Sequence, residues 1–228
     1  MKITKNAGSV WLAKSLLALT VLFTSCEKNN IDATGAIDLK VVNAGPVSTP
    51  QSFYLAGTAL VNGGLAFTNA SGYIKTVSGT RLVAEYRNDS TGSTYAEGEL
   101  WVGDGKSYTV FLAGGNGSER VKVFEDDLSA PASGKVRVRF IHLSDDAPSD
   151  IKIEDSAGND LVTNVSRNIA SGYKTVNPGT LSIRVYGTAL NGNVGNYEFS
   201  DLLAGKVYTV YLAGVSSTGT TAHLIVHN

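Results

Sequence analysis

KSYTVFLAG at residues 106–114 returns as KVYTVYLAG at 206–214. In an extended chain Tyr208, Val210 and Leu212 fall on one side of the second copy, and Thr209 and Tyr211 on the other. Both sides can pack, so the phrase predicts a central strand covered on two faces. Gly205-Lys206 supplies the turn into it, and Gly214 is expected to end it in a left-handed conformation. The phrase is read as core rather than as catalytic machinery.

The duplication extends well beyond nine residues. ASGY stands at 70–73 and at 170–173, Gly79-Thr80 recurs at 179–180, and Tyr86 recurs as Tyr186. A period of this size is that of a whole small domain rather than a solenoid unit. The expected organisation is a leader (1–25), a tether (26–35), a first domain (36–127), a linker (128–134) and a second domain (135–228). Within each copy the apolar period is two. Val136, Val138 and Phe140 alternate with Lys135, Arg137 and Arg139, and Ile37, Leu39 and Val41 alternate with Asp38 and Lys40. Turn signals such as VNGG, NDSTG, GDGK and LNGN punctuate these runs. The fold class expected is all-β: two tandem immunoglobulin-like β-sandwich domains after a cleaved lipoprotein signal peptide.

Composition agrees with strands and tight turns, with 25 glycines, 5 prolines, 10 tyrosines and 17% charged residues in 228. Lys2, Lys5 and Lys14 precede the apolar run SLLALTVLFTS and then Cys26, the single cysteine. That run is far shorter than the roughly 20 residues that span a bilayer, so it is read as a signal-peptide core. Small residues before the cysteine resemble a lipobox, making Cys26 the expected lipidation site and the membrane an expected partner. Glu27 rather than aspartate follows it, which favours the outer membrane of a cell envelope. Without the leader the chain has 16 basic and 20 acidic groups, and no broad basic surface for nucleic acid.

RFIHLSDDAPSDIKI at 139–153 resembles domain-of-unknown-function family 4397, in which a strand, a His-x-Ser-x-Asp-Ala-Pro-like loop and a second strand follow one another. His142, Ser144, Asp146, Ala147, Pro148 and Asp150 occupy the matching places. The resemblance implies a sandwich fold, tandem copies and secreted or lipid-anchored bacterial envelope proteins without an established activity. The corresponding loop of the first copy, VVNAGPVSTPQ, departs from the pattern: Asn43 stands where histidine would fall, and no acid is present.

Candidate ligand or cation contacts are His142, Asp145, Asp146 and Asp150. Carboxylates so grouped could serve a hard cation, but the spacing lacks the logic of a calcium loop. Turn-shaping bonds to nearby backbone amides are the preferred reading. Glu125-Asp126-Asp127 is read as solvated, or as joining Asp145 or Asp146 in an interdomain cation site. His223 and His227 would sit roughly 13 Å apart on a strand, at ~3.3 Å per residue, and are expected at the surface. Lys135, Arg137 and Arg139 are expected to point outward and discourage edge pairing. Trp101, which has no counterpart in the second copy, and Tyr95 are the aromatics that could stack on a sugar. Asp89-Ser90-Thr91 and Asp155-Ser156-Ala157 resemble a short O-glycosylation sequon, with turn chemistry explaining both equally well. No cofactor or metal is expected, and no nucleophile elbow or P-loop is present. The expected function is non-catalytic adhesion, scaffolding or protein interaction; the alternative is a glycan-binding surface lipoprotein of a polysaccharide-uptake system. A hydrolase would need two carboxylates converging in a pocket with raised pKa values.

Overall fold

The structure, a computed structural model, describes residues 28–189 and 192–228, so the leader and Cys26 lie outside the described residues. All regular structure there is strand. The first half of the chain holds β1 (Asn30–Asn43), β2 (Gln51–Leu55), β3 (Thr58–Leu65), β4 (Ala70–Asn88), β5 (Thr94–Val102), β6 (Ser107–Ala113) and β7 (Arg120–Asp126). The second half holds β8 (Val136–His142), β9 (Asp150–Asp155), β10 (Asp160–Ser166), β11 (Lys174–Val176), β12 (Gly179–Gly187), β13 (Asn193–Leu202), β14 (Val207–Val215) and β15 (Gly219–Val226).

The second half builds two four-stranded sheets, in the orders β10-β9-β12-β13 and β11-β8-β14-β15. The first half repeats both, but the long strand β4 passes through each and joins them into one seven-stranded sheet. Its first part pairs with β1 and its last part with β2 and β5. It turns at Gly79, where φ is +152° and an added Cβ would lie 2.3 Å from the Asn30 carbonyl oxygen. In the second half Asn177-Pro178 falls at the equivalent place and splits the strand into β11 and β12. Proline has no N–H for the ladder and restricts the residue before it.

One feature departs from an immunoglobulin arrangement of strands ABED against CFG. β1 runs parallel to β6, and β8 parallel to β14, in the middle of their sheets. Gly214 also differs from expectation. It lies within β14 and is absent from the positive-φ glycines, but a Cβ there would sit 2.3 Å from the Gly219 carbonyl oxygen. Close approach of β15, rather than backbone handedness, demands glycine at this position.

Three apolar cores follow from the alternation. Tyr108, Val110 and Leu112 join Ile37, Leu39, Phe53, Leu82 and Tyr86 in the first half. Tyr208, Val210 and Leu212 join Val138, Phe140, Ile153 and Val185 in the second. The opposite faces of the same strands meet each other. Val42, Phe111 and Ala113 pack against Ile141, Leu143, Tyr211, Ala213 and Ile225 in a third core between the halves. The Phe111 and Tyr211 rings lie 5.4 Å apart, edge to face, and Phe124 adds a second edge contact to Phe111.

Phe111 is fully buried, so Phe111→Ala should destabilise the protein by about 3–5 kcal/mol in urea unfolding. Its counterpart Tyr211 is equally buried, and its hydroxyl has no hydrogen-bond partner among the described residues. Tyr211→Phe should therefore leave the unfolding midpoint unchanged or raise it.

Candidate functional site

The 142–150 loop is held from within. His142 Nε2 lies 2.8 Å from the Pro148 carbonyl oxygen, and the ring is fully buried, which keeps its pKa below the usual value. Ser144 Oγ accepts from the amides of Asp146 and Ala147 and meets the Thr220 hydroxyl at 2.8 Å. Ala147, so placed, enters the second-half core. Asp146 accepts from Thr220 at 3.1 Å, and Asp150 accepts from Ser149 and Ser166. Those two hydroxyls hold the Asp150 carboxyl below its usual range. In the first half Asn43 does the work of His142: its side chain accepts from the Gly45 amide and donates to Ser48 and the Leu65 carbonyl.

Asp145 points across to the other half. It accepts from Arg120 and from Ser118, each at 2.8 Å, and Arg167 lies 3.8 Å away. Burial alone would raise its pKa, but the Ser118 hydroxyl and the two guanidinium groups hold it low. Arg120 also donates to Asn168 at 2.6 Å and to the Leu143 carbonyl at 3.0 Å. Among the described residues no group of three or more His, Cys, Asp or Glu side chains is placed to hold a metal ion.

The two aromatic candidates are not brought to this loop. Tyr95 packs against the first-half core, and burial, with the Glu119 carboxylate nearby, raises its hydroxyl pKa. Trp101, on β5, is 58% exposed and borders a cleft of about 440 Å³ lined also by Asn30, Ile31, Asp32, Thr80 and Asp104. Every described carboxylate whose pKa departs from its ordinary value moves downward. That is opposite to the shift a general acid needs.

A further cluster at the junction of the halves corrects three expectations. Arg139 is 2% exposed rather than outward, Asp126 is buried rather than solvated, and His227 is 6% exposed rather than at the surface. The Arg139 guanidinium donates to Asp126, to Thr209 Oγ1 at 2.8 Å and to the Glu125 carbonyl at 2.7 Å. Asp126 accepts also from Thr109 and Tyr73, each at 2.7 Å. His227 completes the circuit: Nδ1 lies 2.7 Å from Tyr73 Oη, and Nε2 2.7 Å from Thr209 Oγ1. A proton on Nδ1 satisfies every member, because Tyr73 then accepts from His227 and donates to Asp126 while Thr209 donates to Nε2. Asp127, exposed next to the linker, is tied to Arg137, whose half-buried guanidinium lies over the Tyr173 ring. The interdomain cation site joining these acids to Asp145 or Asp146 does not form: Asp126 and the Glu125 carbonyl meet the Arg139 guanidinium, and Asp145 meets Arg120. The signal that could have found the cluster is the repeated Tyr73/Tyr173 and Thr109/Thr209, on the face turned away from each half's own core.

The family model DUF4397, described as a domain of unknown function, matches residues 37–152. The matched segment runs through the first half and ends just beyond the 142–150 loop, so the half whose loop departs from the signature carries most of it. No curated protein matches the chain. Among solved structures the chain is similar to a family-26 carbohydrate-binding module of Eubacterium rectale Amy13K, in complex with maltoheptaose. The identity is 13% and the TM-score 0.27, covering 82% of this chain and 96% of that one. It is similar also to the Bacillus anthracis TIE protein, with 9% identity and a TM-score of 0.25; it covers 86% of this chain but only 44% of that one. A Bacteroides uniformis protein described as a candidate cell adhesion protein shows 12% identity and a TM-score of 0.27, covering 86% and 98% of the two chains. At these scores the three likenesses carry no functional argument.

Removing one partner of the Asp126–Arg139 pair strands a buried charge. Arg139→Met should cost about 3–5 kcal/mol, and Asp126→Leu in the same chain should recover most of the loss. A double-mutant cycle read by urea unfolding measures this. The histidines set a second expectation. Burial pushes the His227 imidazole down to about 4 from its ordinary 6.5, against the pull of Asp126 and with help from Arg139 and Lys40. Between those values the unfolded chain binds a proton that the folded chain refuses. Stability is therefore full above pH 6.5 and falls as pH drops toward 4, by about 3 kcal/mol from this residue. His142 and His223, lowered by burial, act in the same direction. Unfolding at pH 7.5 and 4.5 should show the slope, and His227→Gln should remove part of it.

Proposed function

Since the chain belongs to the DUF4397 family, a domain of unknown function, we propose its role from its own surfaces. It is a non-catalytic cell-envelope protein, lipid-anchored at Cys26 on the outer membrane, with β-sandwich domains at 36–127 and 135–228 serving adhesion, scaffolding or protein interaction. The observation that carries this reading is the third core. Apolar packing and a buried ion pair make the tandem one stiff body, so its distal turns hold fixed positions relative to one another. A stiff tandem suits presentation of a surface to a partner better than closure around a substrate. The signature loop adds support, because its polar side chains are occupied in holding the loop and in bridging the halves.

A second reading, a glycan-binding surface lipoprotein of a polysaccharide-uptake system, has the open indole of Trp101 in its favour.

Cys26→Ala should move the protein from the membrane fraction to the soluble fraction on cell fractionation; undiminished retention overturns the anchor. A glycan array probed with the chain lacking its leader decides between the two readings. No saturable sugar is expected, and a saturable one overturns the first.

A further inference from the structure

Six large apolar residues are exposed among the described residues, and two of them stand together. Trp101 at 58% and Ile31 at 44% border the same cleft, where the register sets Gly79 opposite both Ile31 and Val102. The two residues thus lie on strands that flank β4, one on each side of Gly79, at one end of the first half. The second half lacks the tryptophan: its position 201, one hundred on from Trp101, is an aspartate, and the exposed apolar residue at that turn is Leu203, an aliphatic side chain without an indole. The copy nearer Cys26 carries the tryptophan, and the copy farther away carries a charge.

Covalent reach places this end close to the anchor. Ile31 is five residues from Cys26, a separation of no more than about 18 Å even in a fully extended chain. Indole is the side chain that most readily settles at a bilayer's headgroup layer, with its apolar body toward the acyl chains and its N–H toward water. The rim is acidic. Asp32 is held ionised by hydrogen bonds from the Thr34 amide and hydroxyl, Asp104 accepts from the Ala36 amide at 2.7 Å, and no lysine or arginine lines the cleft. Such a rim repels anionic headgroups and tolerates zwitterionic ones.

We propose that the Trp101–Ile31 surface rests on the zwitterionic headgroup layer of the bilayer that anchors Cys26. The first half then lies against the membrane instead of swinging on its tether, and the second half projects outward. The proposal rests on the lipid-anchor reading above.

Two features of the sequence make it testable. Cys26 is the single cysteine, and Trp101 is the single tryptophan after the leader. A chain starting at Cys26 keeps all fifteen strands and the three cores. It is coupled through Cys26 to a maleimide lipid in phosphatidylcholine–phosphatidylethanolamine vesicles that contain brominated acyl chains. Trp101 emission should shift to the blue and be quenched at least twofold relative to the uncoupled protein. Ile31→Asp, at an exposed site that leaves the cores intact, should abolish most of that quenching. Vesicles rich in phosphatidylglycerol should weaken it. Unchanged emission and undiminished iodide access to Trp101 after coupling overturn the proposal. So does a soluble neutral oligosaccharide that saturably shifts Trp101 emission while coupling has no effect, an outcome that assigns the cleft to a glycan. Because coupling is chemical, none of these results depends on acylation in the cell, which the Cys26→Ala fractionation tests separately.

Discussion

Strands β6 and β14 have no face to give to water, and the rest of the molecule is arranged around that constraint. Each presents Tyr, Val and Leu to the core of its own half and an aromatic residue and alanine to the other side. A half standing alone would expose Val42 with Phe111, or Ile141 with Tyr211, as one contiguous apolar patch. Packing one copy's second face against the other's removes both patches at once. Because the surfaces derive from the same repeat, they are related as the two sides of an isologous contact, and a single chain achieves what a dimer would otherwise need.

The polar cluster in that interface makes the two sides different. Thr109 with Asp126 in the first half takes the place that Thr209 with His227 takes in the second, and Lys40 corresponds in register to Arg139. Asp126 and His227 approach to 3.8 Å across the junction. If two first halves met in the same way, two carboxylates would stand at that distance without relief. Two second halves would bring two arginines together with no acid between them. Pairing first with second gives each charge an opposite or neutral partner, so the cluster favours the intrachain arrangement over association between molecules.

Much of this architecture was legible in the sequence, and the gaps have a common cause. Alternation reports which residues share a face but not what covers that face. Val136, Val138 and Phe140 read correctly as core, whereas Arg139, between two of them, read as outward because charges ordinarily face water. The second half's cover over β8 comes from residues some distance along the chain, among them Asp126 and Glu125, and no local pattern announces it. The same reasoning explains His227. The parallel pairing of β1 with β6 was equally hidden, since both strands have the period-two pattern whichever way they run. The split of the β4 counterpart was written in Pro178, although its effect shows only beside the unbroken strand of the first half.

The signature loop teaches where function should be sought. His142 in one half and Asn43 in the other differ in charge capacity and size, yet each spends its side chain on closing the same turn. Residues that match a family pattern can therefore mark a shared geometric need and remain silent about ligands. When two copies of a fold share one chain, whatever both retain is explained by folding alone. What one copy has and the other lacks is free to answer to something outside the molecule. Trp101 against Asp201 is such a difference at an exposed position, and it sits in the copy nearer the N-terminus. Asp126 against His227 is another, but burial commits it to the junction. Exposure thus separates the two asymmetries, leaving the indole as the one available to a partner.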